Sequence, residues 1–110
     1  MSKTDAQVLF IADSTRFDIT SARKFGVPVY LMASSASSPF NPEGFFEELD
    51  AEITRIGFDP EGDFIAMTGP AVHMALFVAF MVRRYDALNL LIFDARSSKY
   101  RKRRLSMEQK

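Results

Sequence analysis

Apolar and polar positions fall into blocks along the chain, and each block predicts an element. Residues 7–12 (QVLFIA) are apolar without a break, as in a strand buried on both faces. Asp13, Ser14, Thr15 and Arg16 make a polar loop after it. Asp18 is placed to cap a short helix over 19–25, with Phe17 and Ala22 at hydrophobic-staple spacing and Gly26 as its stop. Residues 27–32 (VPVYLM) read as a second strand, and Pro28, which has no N–H to donate, assigns it to an edge. A small-residue loop covers 33–40. Asn41, Pro42 and Glu43 then give a cap, a proline at the first helical position and an acid in the first turn. Phe45, Phe46, Leu49, Ile53 and Ile56 recur at helical spacing among acids, so an amphipathic helix runs on until Gly57.

The second half repeats the alternation. Asp59, Pro60, Glu61 and Gly62 form a turn by composition. Residues 64–67 predict a third strand, Thr68-Gly69-Pro70 a tight turn, and 70–84 a helix apolar almost all the way round. Residues 89–93 (NLLIF) predict a fourth strand. A connection over 94–98 leads into a last strand, 99–105, that closes an antiparallel hairpin, and the end, 106–110, frays. The order β-α-β-α-β-α-β-β with right-handed crossovers predicts a doubly wound sheet. The expected fold is a single three-layer, Rossmann-like α/β domain over 1–110, with a mostly parallel sheet of order 2-1-3-4. The C-terminal antiparallel hairpin strand lies outside strand 4. The topological switch then falls between strands 1 and 3, where the loops at Asp13–Arg16 and Thr68–Gly69 meet in a crevice suited to a ligand.

Composition narrows the class. The 110 residues suit one domain, and 47% hydrophobic content with 11 Phe makes it globular. With no Cys and one His, neither disulfides nor Cys- or His-rich metal sites are available, and no cofactor or metal is expected. No signal-peptide pattern opens the chain, and no apolar run is long enough to span a bilayer, so a cytoplasmic protein with no membrane partner is expected. The net charge of zero conceals two opposed halves. Residues 1–94 carry 7 Lys and Arg against 13 Asp and Glu, a net of −6, and residues 95–110 carry 7 against 1, a net of +6. The basic hairpin and tail over 95–110 therefore has a role of its own.

Three groups of residues can carry function. In the crevice, Asp13, Ser14, Thr15, Arg16, Thr68 and Gly69 offer an acid, hydroxyls, a guanidinium and a helix amino end, with His73 one turn further on. Together they would suit a phosphate or nucleotide. The competing reading makes the hydroxyls helix caps and pairs Arg16 with Asp18. His73 with Asp13 would make a general base, but a lone His on an apolar helix is more often packed, so no catalytic residue is assigned. On the last strand, Lys99, Tyr100, Arg101, Lys102, Arg103 and Arg104 would meet nucleic-acid phosphates, with Tyr100 stacking on a base. The alternatives are a charged edge that blocks aggregation, or pairing with an acidic surface such as that around Glu47, Glu48 and Asp50. On the apolar helix, Met74, Phe77, Val78, Phe80 and Met81 form the expected interface of a homo-oligomer, a two-fold dimer being the commonest solution. The alternative is that neighbouring elements of one chain cover that helix.

The segment TGPAVHM, through Thr68, Gly69 and Met74, resembles the strand-TGGTKxM-helix segment of CRISPR-associated Rossmann-fold sensors. That resemblance implies a dimer that binds a cyclic oligoadenylate. Pro70, Ala71 and Val72 stand where the pattern has glycine, threonine and lysine. The whole chain is also similar to short Rossmann-like α/β proteins of phages and other mobile elements, a likeness that implies no particular activity. The leading expectation is a non-enzymatic, dimeric binding or regulatory module that recognises a nucleotide or nucleic acid. The alternatives are a sensor or enzyme for a phosphate-containing ligand at the crevice, and a pure protein-interaction module.

Overall fold

The computed structural model describes residues 5–11, 20–31, 42–68 and 70–106. Among the described residues, five strands and two α-helices follow in the order β1 (Gln7–Phe10), β2 (Val27–Tyr30), α1 (Pro42–Ile56), β3 (Phe64–Ala66), α2 (Ala71–Arg84), β4 (Ala87–Asp94) and β5 (Lys99–Ser106). A 3-10 turn, Thr20–Ala22, lies between β1 and β2. The strands form one sheet in the order β2-β1-β3-β4-β5, parallel from β2 to β4 and antiparallel between β4 and β5. Pro28 sits on the edge strand β2, where its missing N–H costs no ladder bond.

The connections decide what covers the sheet. The crossovers from β2 to β3 and from β3 to β4 advance in the same direction, so one handedness puts both helices on one face. Leu9, Ile65 and Leu88 of the sheet accordingly share a core with Phe45, Leu49 and Ile53 of α1 and Met74, Phe77 and Met81 of α2. The step from β1 to β2 runs the other way. On that second face Val8, Phe10, Ala66, Leu91 and Tyr100 pack with Ala22 of the 3-10 turn. One expectation is corrected here. Of the short helix expected over 19–25, the described residues form a three-residue 3-10 turn, Thr20–Ala22, which is the only helical element on the second face among the described residues.

Helix α1 stops in a Schellman motif. Gly57 has φ +65°, Gly57 N–H donates to Thr54 O and Phe58 N–H to Ile53 O, which satisfies carbonyls the helix leaves open. Gly26 is required for a different reason. A Cβ there would lie 2.6 Å from the Ala6 carbonyl oxygen, against which the chain turns into β2.

A polar cluster fixes the end of the sheet at which β3 begins. The fully buried Asp63 accepts the backbone N–H groups of Gln7 and Asp59, both at 2.8 Å, and the side-chain amide of Gln7 at 3.2 Å. Asn89 Nδ2 donates to the carbonyls of Glu61 and Asp63, at 3.1 and 3.2 Å. Buried polar groups are tolerable when partnered in this way, and here they tie β1, β4 and the 59–62 turn together.

Candidate nucleic-acid interface

β5 is the last strand of the sheet, and its side chains alternate between the two faces. Lys99, Arg101, Arg103 and Leu105 stand opposite Asp94, Ile92, Leu90 and Leu88, on the face that carries the helices. Tyr100, Lys102 and Arg104 stand opposite Phe93, Leu91 and Asn89, on the other face. The helices stop short of this strand, so Lys99, Arg101, Lys102, Arg103 and Arg104 are all exposed.

Each side chain has a distinct setting. Arg101 Nε donates to Asp94 Oδ2 at 2.8 Å, and Arg96 N–H donates to Asp94 Oδ1 at 3.0 Å. The Arg101 hydrogen bond first, and the Arg96 N–H second, hold the Asp94 carboxyl below its ordinary value. Ile92, 43% exposed, lies beside Arg101 and Arg103 in a shallow groove of about 300 Å³ that Phe93 and Asp94 complete. Lys102 Nζ sits 5.7 Å above the Phe64 ring. Arg104 reaches Asn89 Oδ1 at 2.8 Å and Glu61 Oε2 at 2.9 Å, which joins the strand to the Asp63 cluster. Arg103 donates to the carbonyl of Lys102 at 2.8 Å. Among the described residues, acids pair only with Arg101 and Arg104 on this strand.

Tyr100 corrects the sequence reading. It is 2% exposed, with its ring against Phe93 and Phe10 at centroid distances of 5.2 and 6.4 Å. A base cannot stack on it. Its hydroxyl lies 3.2 Å from the hydroxyl of Thr68, itself 6% exposed, so Thr68 braces β5 instead of presenting its hydroxyl to a phosphate. Of the other crevice candidates, Asp13, Ser14, Thr15, Arg16 and Gly69 lie outside the described residues. His73 is half-buried with its ring edge-on to Phe45 at 5.6 Å, and its buried Nδ1 has no hydrogen-bond partner among the described residues. The structure brings Thr68 to Tyr100.

The expected oligomer face is corrected as well. Phe77 and Met81 are fully buried and Met74 is 9% exposed, all within the core of one chain, so these three have no surface to offer a partner. Phe80 stacks on Phe46 of α1 at 5.8 Å, and Val78 is half-buried. The apolar surface that α2 leaves outside is Val72, 57% exposed, with Ala75 and Ala79. The sequence reading also passed over Arg96. Its side chain, 96% exposed, extends the basic surface onto the hairpin turn. Its place among the charges of 95–110 was the available signal.

The sheet and its charged edge define a mixed α/β protein whose distinctive surface is a basic hairpin. No helix among the described residues is long and apolar enough to cross a membrane. The chain belongs to the phage Pam3 gp32-like protein family, whose model matches residues 9–107. That membership agrees with the likeness to phage proteins. No curated protein and no solved structure matches the chain.

Proposed function

We propose that the protein is a non-enzymatic binding module of a Rossmann-like kind that recognises nucleic acid through β5. One observation carries this reading. Five of the six residues from 99 to 104 are cationic, and all five are exposed on a sheet edge that neither α1 nor α2 covers. A cationic surface of this density attracts a polyanion by releasing its counterions. The buried Tyr100 gives the strand rigidity where the sequence had suggested a stacking ring. The proposed module forms a dimer through the outer face of α2.

Binding of a fluorescent 20-base-pair DNA and of its single strands, followed by anisotropy at several salt concentrations, tests the proposal. Reversing the charge at Arg101, Lys102 and Arg103 together is expected to abolish binding while thermal unfolding stays cooperative. Binding unaffected by that triple reversal would remove β5 from the function.

A further inference from the structure

The backbone on the outer side of β5 does not invite another strand. The Tyr100 N–H is donated to Ser21 Oγ at 3.0 Å, and the Lys102 carbonyl accepts the Arg103 guanidinium. A second copy of β5 laid alongside would also set cation against cation, which disfavours pairing. An edge protected in this manner is left to meet its ligand with side chains.

Those side chains leave the strand in two directions. Lys99, Arg101 and Arg103 leave one face and Lys102 and Arg104 the other, with successive cations on a face about 6.8 Å apart. A single nucleic-acid strand has one row of phosphates and would engage one face. It would also want exposed rings to stack on. Among the described residues the large exposed hydrophobics are Val27, Val72 and Ile92, none of them aromatic. A groove has two phosphate walls. A strand with side chains on both faces is about 10 Å thick, judged by the spacing of packed sheets. The major groove of B-DNA is about 12 Å wide and admits it; the minor groove, about 6 Å wide, does not. The major groove of duplex RNA is too narrow for protein side chains.

We propose that β5 enters the major groove of duplex DNA edge-on, with Lys99, Arg101 and Arg103 against one phosphate wall and Lys102 and Arg104 against the other. This rests on the nucleic-acid reading above and goes further, because it fixes the form of the ligand and the role of each face. Arg96, at the hairpin turn, follows the same groove. The contacts are to phosphates, so binding is largely independent of sequence.

The test measures affinity against salt for a 20-base-pair DNA duplex, its single strand and the matching RNA duplex. The wild type is expected to prefer the DNA duplex, with a slope of log affinity on log salt of about −0.9 per phosphate neutralised, roughly −4.5 for the five cations. Lys102→Gln should lower that slope by about 0.9 and the Lys99→Gln/Arg103→Gln pair by about 1.8, so both faces count. Far-ultraviolet circular dichroism confirms that each variant is folded. Equal affinity for single strand or RNA duplex, or a slope that Lys102→Gln leaves unchanged, would overturn edge-on entry while nucleic-acid binding stood. Absence of binding to all three at low salt would overturn both.

Discussion

At the scale of single residues, Thr68 and Tyr100 show how a side chain can be read correctly for chemistry and wrongly for place. Each hydroxyl is buried, and the two lie 3.2 Å apart. Tyr100→Phe leaves the Thr68 hydroxyl facing an apolar ring and should cost about 1–2 kcal/mol in urea unfolding. Adding Thr68→Val removes the stranded group as well, so the double variant should be no less stable than Tyr100→Phe alone. Strict additivity of the two losses would show that the hydroxyls do not interact. Asp94 supplies the pH counterpart. Its folded value lies below the ordinary 3.8, chiefly through Arg101. The ionised carboxylate therefore favours the folded hairpin at pH above 3.8, and that contribution is lost as pH falls through the lower folded value. An NMR titration should find the Asp94 midpoint under 3.8 and see it rise in Arg101→Gln. A midpoint indifferent to that substitution would locate the cause elsewhere.

At the scale of elements, α2 carries most of the lesson. Phe77 is fully buried among Leu9, Ile65 and Met81, and Phe77→Ala should cost about 3–5 kcal/mol by equilibrium unfolding, through lost transfer energy and the cavity left behind. A cost below about 1 kcal/mol would mean that α2 is not docked as described. The sequence made this helix look apolar in every direction and so in need of an outside partner. Two facts were not legible there. One is that α1 lies alongside it, with Phe46 on Phe80 and Asp50 paired to Arg84, which needs the tertiary arrangement. The other is that the outward positions hold Ala75 and Ala79, which bury little whether covered or not. The strands were far more legible. The unbroken apolar run of β1, Pro28 at an edge and the cationic alternation of β5 each answer to a local physical rule. The 3-10 turn Thr20–Ala22 was less so, because the entry into β2 is set by a tertiary contact, Gly26 closed against Ala6. The crevice was inferred from topology alone, and no local pattern could say that Thr68 would turn to Tyr100.

At the scale of the whole molecule, the proposed dimer can be weighed against what α2 leaves exposed. Val72, 57% exposed, is the one large apolar residue on that outer face, joined by Ala75 and Ala79. Burying a Val side chain contributes about 1.5–3 kcal/mol, and two copies contribute one each, with smaller increments from the alanines. Association itself costs at least about 4 kcal/mol in lost freedom of motion. A micromolar dimer needs a net of about 8 kcal/mol, which this face does not reach. The dimer is thus expected to be weak and visible only in concentrated solution. Sedimentation equilibrium should show a monomer mass at tens of micromolar, rising towards twice that mass as the concentration approaches millimolar. Val72→Glu faces solvent in the monomer, so it should hold the mass at the monomer value throughout without lowering the thermal midpoint. A wild type that stays monomeric at every concentration would end the dimer proposal. A dimer that persists at nanomolar concentration and survives Val72→Glu would move the interface to a different and larger surface, because the outer face of α2 is too small to hold it.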